Sequence, residues 1–157
     1  RCSRDWSSDV CSSDLYTHYF KYTQKFDDDQ WARICDKASK IVNWCNDNYI
    51  PLRFEYNSED PVVINQELIR FNGVEDDGHE TFCVERNNTS GFNFCKTACK
   101  PYDVAVGCCL IVMQNENPKN FVVSSDGDKQ DWQEIIQLYE KLFGEKPSLE
   151  FLERDDD

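Results

Sequence analysis

The sequence predicts a single α+β domain, a mixed sheet carrying three helices in the order β-α-β-β-β-α-β-α, and three observations carry that prediction. Residues 104–113 contain no charged or strongly polar side chain, so this segment is apolar all round and has to be covered on every side. Two other stretches place apolar residues at helical spacing, with polar residues between them. The remaining apolar runs are short, rich in β-branched and aromatic residues, and separated by Asn, Gly, Pro and Asp.

Taken in order, residues 16–24 are rich in aromatic and β-branched side chains and read as the first strand. Asp27, Asp28 and Asp29 offer an N-cap and an acidic first turn to a helix whose apolar stripe is Trp31, Ile34, Cys35, Ala38, Ile41, Val42 and Cys45. Pro51 ends it, and residues 52–56 alternate as a short strand. Residues 62–64 and 68–71 read as one interrupted strand closed by the Asn72-Gly73 turn, and residues 80–85 return beyond an acidic tip at 75–79. Residues 87–93 read as a polar loop. The apolar run is then a buried central helix: Pro101 suits a first helical position, Asp103 the positive N-terminus, and residues 115–118 the stop. Its Val and Ile content leaves a buried strand as the alternative, and Gly107 counts against the helix. Residues 121–124 form the last strand. Asp128 and Asp131 introduce a final helix bearing Trp132, Ile135, Ile136, Leu138, Tyr139, Leu142 and Phe143, which Gly144 ends. The domain so defined spans residues 16–146, and residues 147–157 form an acidic, frayed tail.

Residues 1–15 stand apart from this pattern, with a near repeat (WSSDV, CSSDL) and no helical or strand period. Residues 4–15 resemble the conceptual translation of a sequencing-library adapter. On that reading the leader is artefactual, or else a disordered tail, and the natural start with any signal peptide lies outside the sequence.

A net charge of −13 disfavours direct binding to phosphate backbones and to anionic lipid surfaces. No apolar run reaches the ~20 residues needed to cross a bilayer. Without the leader the cysteines are Cys35, Cys45, Cys83, Cys95, Cys99, Cys108 and Cys109, an odd number without CxxC spacing. That pattern fits free, largely buried thiols in a reducing, cytoplasmic setting.

Candidate chemistry concentrates before the central helix. Cys95 sits between a strand end and a helix start, with Lys96 and Lys100 near, where a thiolate would be stabilised. Lys96, Thr97 and Lys100 could equally hold a small anion at the free helix N–H groups, although no glycine-rich loop supports them. Tyr102 and Asp103 are candidates for a buried polar interaction. Asp126 and Asp128 with Asp131 and Glu134, and His79 with Asp76, Asp77, Glu80 and Cys83, gather possible ligands, but neither set has the order of a known metal loop. Helix capping and a solvated hairpin tip explain them, so no metal and no cofactor is expected.

The stretches FCKTACKPYD at residues 94–103 and SSDG at 124–127, with IRFNG at 69–73 and ETF at 80–82, resemble the signature segments of a family of small uncharacterised proteins from bacteria, phages and environmental sequences. The resemblance runs over most of residues 16–144 and implies no assigned activity. The family motif carries a basic residue where this chain has Cys99, which argues against Cys95 and Cys99 acting as a required pair. The function expected is that of a small acidic intracellular interaction protein, monomeric or homodimeric, with an unidentified protein partner and no membrane contact. Its subsidiary form is a phage-type inhibitor or nucleic-acid-mimicking decoy. The alternative is an enzyme or small-anion binder using residues 95–100, with Asp126 or Asp128 brought close.

Overall fold

The computed structural model describes residues 15–89 and 91–153, so the leader reading of residues 1–14, and residues 154–157 of the tail, lie outside the described residues. The α+β class stands. The described residues form three helices and two sheets, and every strand ladder is antiparallel, which corrects the expected mixed sheet.

The first sheet has β1 (Thr17–Tyr22) at its centre, between β6 (Gly91–Lys96) and β7 (Phe121–Ser125). Because β1 runs antiparallel to both, β6 and β7 share a direction, and their C-terminal ends emerge together beside the start of β1. The pairings Thr17↔Lys96 and His18↔Ser125 fix that end. In the second sheet β4 (Leu68–Gly73) pairs with β2 (Leu52–Arg53), β3 (Val63–Ile64) and β5 (Phe82–Glu85). The expected single interrupted strand at 62–71 is therefore a hairpin of β3 and β4. Asn65 turns it, its side-chain oxygen accepting from the N–H groups of Glu67 and Leu68.

Helix α1 (Asp28–Asp47) begins as the sequence predicts. Asp27 accepts from the Gln30 N–H, and Gln30 accepts in return from the Asp27 N–H. It buries Trp31, Ile34, Ala38, Ile41, Val42 and Cys45. Helix α2 (Asp103–Glu116) is the hub of the core and is buried at every position from Asp103 to Met113, packed against α1, α3 and β7. Pro101 lies just before its cap, Tyr102, and not in the first turn. Helix α3 (Gln133–Phe143) ends at Gly144, whose φ of 70° is the left-handed conformation that glycine adopts without penalty. Two further expectations need correction. Residues 91–96 are a strand and not a loop, and the tail folds back at Glu150–Leu152, burying Phe151 and Leu152 in the core, with Phe151 edge-on to Trp132.

Candidate functional site

The end of the first sheet where β6 and β7 both stop is also where α2 begins. Local chemistry explains why three segments meet there. The chain leaving β6 turns tightly, with Ala98 and Cys99 at left-handed φ values of 52° and 58°, and the N–H groups of Thr97 and Ala98 both donate to the Tyr16 carbonyl. The chain leaving β7 is held by the Asp126 N–H donating to the Thr17 carbonyl, while the Thr17 N–H donates to the Asp126 carboxylate. Gly127 is required at this turn: a β-carbon there would come within 2.0 Å of the Tyr16 hydroxyl.

A chain of polar side chains crosses the core between these loops. The Thr97 hydroxyl donates to Asp103 Oδ1 at 2.5 Å, His18 Nε2 lies 2.6 Å from the same oxygen, and His18 Nδ1 lies 2.8 Å from Ser125 Oγ. Ser125 Oγ also accepts from the Gly127 N–H at 2.9 Å and from Trp132 Nε1 at 3.1 Å. Counting hydrogens assigns the roles. Two N–H donors fill the lone pairs of Ser125 Oγ, so its own hydrogen goes to His18 Nδ1, and Nε2 is left to donate to Asp103. His18 is completely buried, and the ring edges of Tyr16 and Trp132 close on it at centroid distances of 5.1 and 5.0 Å. Burial, with Asp103 beside it, pushes the Tyr16 hydroxyl far above its ordinary range.

The order Ser125–His18–Asp103 has the connectivity of a nucleophilic relay, but with the imidazole reversed: the serine meets Nδ1 and the aspartate Nε2. Ser125 Oγ is already held by two donors, and the ring has no exposed edge. Grooves of about 460 Å³ lie elsewhere. One is lined by Trp44, Ile50, Pro101, Val104, Leu138 and Lys141, the other by residues between α1 and β2–β3, and neither is lined by His18, Asp103 or Ser125. The chemistry this arrangement performs is structural. It anchors α2, β1 and β7 to one another through buried hydrogen bonds.

The residues singled out from sequence fall around this junction with different fates. Cys95 is fully buried and faces inward, and desolvation pushes its thiol well above the ordinary range. An exposed, electropositive nucleophile is the opposite of what is found, so the catalytic reading of Cys95 is corrected. Thr97 is buried and its hydroxyl is committed to Asp103. Lys96 and Lys100 are half-buried, and the Lys96 N–H donates to Glu80 Oε1. The two loops do converge at one sheet end, through Thr97–Asp103–His18–Ser125. Tyr102 and Asp103 are both buried, and the Tyr102 hydroxyl donates to the Glu80 carbonyl at 2.6 Å. Asp128 and Asp131 accept reciprocally from each other's N–H groups. His79 Nδ1 donates to the Lys96 carbonyl. Among the described residues no group of three or more His, Cys, Asp and Glu side chains is arranged to hold a metal. Cys35, Cys45, Cys83, Cys95, Cys108 and Cys109 are free thiols, and Cys99 is disulfide-bonded.

What the sequence reading missed lies on the opposite face of the same sheet. Tyr19, Phe92 and Phe94 point outward from β1 and β6. Phe92 is 66% exposed and Phe94 55%, and Phe92 stacks on Tyr19 at 5.6 Å and contacts Phe94 at 6.2 Å. Val122 of β7 is exposed on the same face, with Lys21 between it and Phe92, and β1, β6 and β7 together contain no Asp or Glu. The signal was present as the alternation Phe92-Asn-Phe94, read instead as the run-out of a polar loop. No helix in the described residues is long and apolar enough to cross a membrane. No family model, no curated protein and no solved structure matches the chain.

Proposed function

We propose that the chain is a small acidic interaction protein that docks a protein partner on the outer face of the β6–β1–β7 sheet. The observation that carries this reading is the pair of exposed rings Phe92 and Phe94, in contact with half-buried Tyr19 on a sheet face. Contiguous apolar surface of this kind marks an interaction site, and aromatic anchors dominate the energetics of such sites. The chain's net charge of −13 favours a basic partner over an acidic one. In its subsidiary form that partner is a nucleic-acid-binding protein occupied by an acidic decoy, as a phage-type inhibitor would do.

The small-anion reading keeps one supporting observation, the convergence of residues 96–100 with Asp126 at one sheet end. It loses the Thr97 hydroxyl to Asp103, and the Asp126 carboxylate at the same end would repel an anion. Immobilised chain and its Phe92→Ser/Phe94→Ser double variant, matched by circular dichroism and melting temperature, should differ in the basic proteins they retain from an extract. Cross-links to the retained proteins should fall on β1 and β6. Identical retention by both forms would sink the docking-face reading.

A further inference from the structure

The two edges of the first sheet are treated differently. In an antiparallel strand, alternate residues turn both N–H and C=O to the same side. On β7 the outward-turned Val123 N–H donates to Gln114 Oε1, and the folded-back segment Glu150–Leu152 packs against the strand. On β6 the Lys96 N–H donates to Glu80 Oε1 and the Lys96 carbonyl accepts from the Glu80 N–H, so Lys96 turns away from β1. Thr97, the next residue, turns towards β1 and donates to the Tyr16 carbonyl, which confirms the phase. Phe94 and Phe92, two and four residues back from Lys96, therefore turn their N–H and C=O groups outward at the sheet edge. Among the described residues no main-chain partner meets them. Natural sheets blunt such edges with charge, proline, a bulge or a covering segment. Gly91-Phe-Asn-Phe-Cys95 has none of these.

We infer that the β6 edge pairs with β6 of a second copy of this chain, antiparallel about a two-fold axis at Asn93, joining two three-stranded sheets into one six-stranded sheet. The register is self-complementary. With the axis at Asn93, Phe92 of one copy lies opposite Phe94 of the other, and each such pair exchanges both of its main-chain hydrogen bonds. The aromatic side chains of the two pairs then meet across the axis on the outer face, the cross-strand arrangement that stabilises sheets. Charge selects this edge for self-association. Two chains of −13 repel each other over most of their surfaces, but β1, β6 and β7 carry no acidic residue. Pairing would also merge the two aromatic patches into one continuous platform. The inference goes beyond the docking-face reading and does not need it, since the hydrogen bonds that join the copies are made by the main chain of the β6 edge.

Sedimentation equilibrium of the full chain, from micromolar to millimolar, tests it. The expected result is reversible conversion to twice the chain mass, with amide exchange at Phe92 and Phe94 slowing as concentration rises. Phe94→Pro removes one edge donor without touching the β1 ladder and should weaken association by roughly tenfold or more, and Phe92→Lys should do likewise by placing like charge near the axis. Both variants are compared at matched circular dichroism, and the exchange readout on the unaltered chain needs no variant. A chain monomeric at millimolar concentration overturns the inference, as does a dimer whose Phe92 and Phe94 amides exchange as fast as in the monomer. Either result leaves the docking face to be judged by its own retention experiment.

Discussion

Asp103 carries the most consequential side chain in the molecule. It accepts from Thr97 and from His18 inside a core that offers neither donor another described partner. Asp103→Ala should leave two buried donors unsatisfied and cost about 3 kcal/mol or more, whereas Thr97→Val, near-isosteric and losing one donor, should cost about 1 kcal/mol. Chemical denaturation of both variants gives the comparison, and equal losses would show that the chain of bonds is not organised on the aspartate. Ser125→Ala discriminates further, since it strands the Trp132 and Gly127 donors and should destabilise without altering the retention of any partner. A second expectation concerns the thiols. Alkylation of the native protein should label half-buried Cys35 and Cys83 first, while Cys95, Cys108 and Cys109 react only on unfolding. Rapid labelling of Cys95 would restore it as a reactive group. Legibility at this scale was uneven. Asp103 was visible as the one acid at the mouth of an apolar helix, but His18 was hidden among strand residues, because a single sequence does not show which distant side chain will satisfy a buried imidazole.

Gly107 looks like a weakness in α2 when the helix is read alone, since alanine is favoured there by about 1 kcal/mol. The packing reverses that expectation. A β-carbon at Gly107 would meet Ile135 Cδ1 at 2.3 Å, so the glycine is what lets α2 and α3 approach. Gly107→Ala should therefore destabilise by about 1–3 kcal/mol, and adding Ile135→Ala should recover part of the loss. Additive losses in the double variant would show that the contact is not the cause. Helices were readable for two reasons: α1 carries its apolar residues as one stripe at helical spacing, and α2 is an uninterrupted apolar run that has to be covered on every side. The strand β6 was missed for the converse reason. Its phenylalanines face solvent while Cys95 faces the core, so its apolar alternation marks the outer face instead of the buried one. The β3–β4 hairpin was missed because its turn rests on the side chain of Asn65, a local capping event too short to leave a pattern. Phe151 and Leu152 were hidden by their acidic neighbours.

At the scale of the whole molecule, the core's dependence on protonated groups sets its pH limits. Burial pushes the Cys45 thiol up to about 12, raises Cys95, Cys108 and Cys109 as well, and lifts the Tyr22 hydroxyl to about 12. In the unfolded chain these thiols ionise near ~8.5. Above that pH the unfolded state holds fewer protons than the folded one, so stability falls as pH rises. The contribution is fully present below the unfolded value and is lost progressively towards the folded one. Each buried thiol then costs about 1.4 kcal/mol per pH unit. Four acting together should exhaust a typical stability of roughly 10 kcal/mol about two units above their unfolded value. The melting temperature should accordingly hold through neutrality, decline from about pH 9 and collapse near about pH 11, and Cys109→Ala should flatten that decline by removing one of the titrating groups. On the acid side, the two carboxylates held below their ordinary range supply little. The carboxylate held low at Asp28 by Arg86 is fully exposed, and the one at Asp128, held by the Asp131 N–H, is nearly so. A melting temperature flat from about pH 8 to about pH 10.5 would show that the thiols are not desolvated in solution, and with them the buried α2 hub would have to be redrawn.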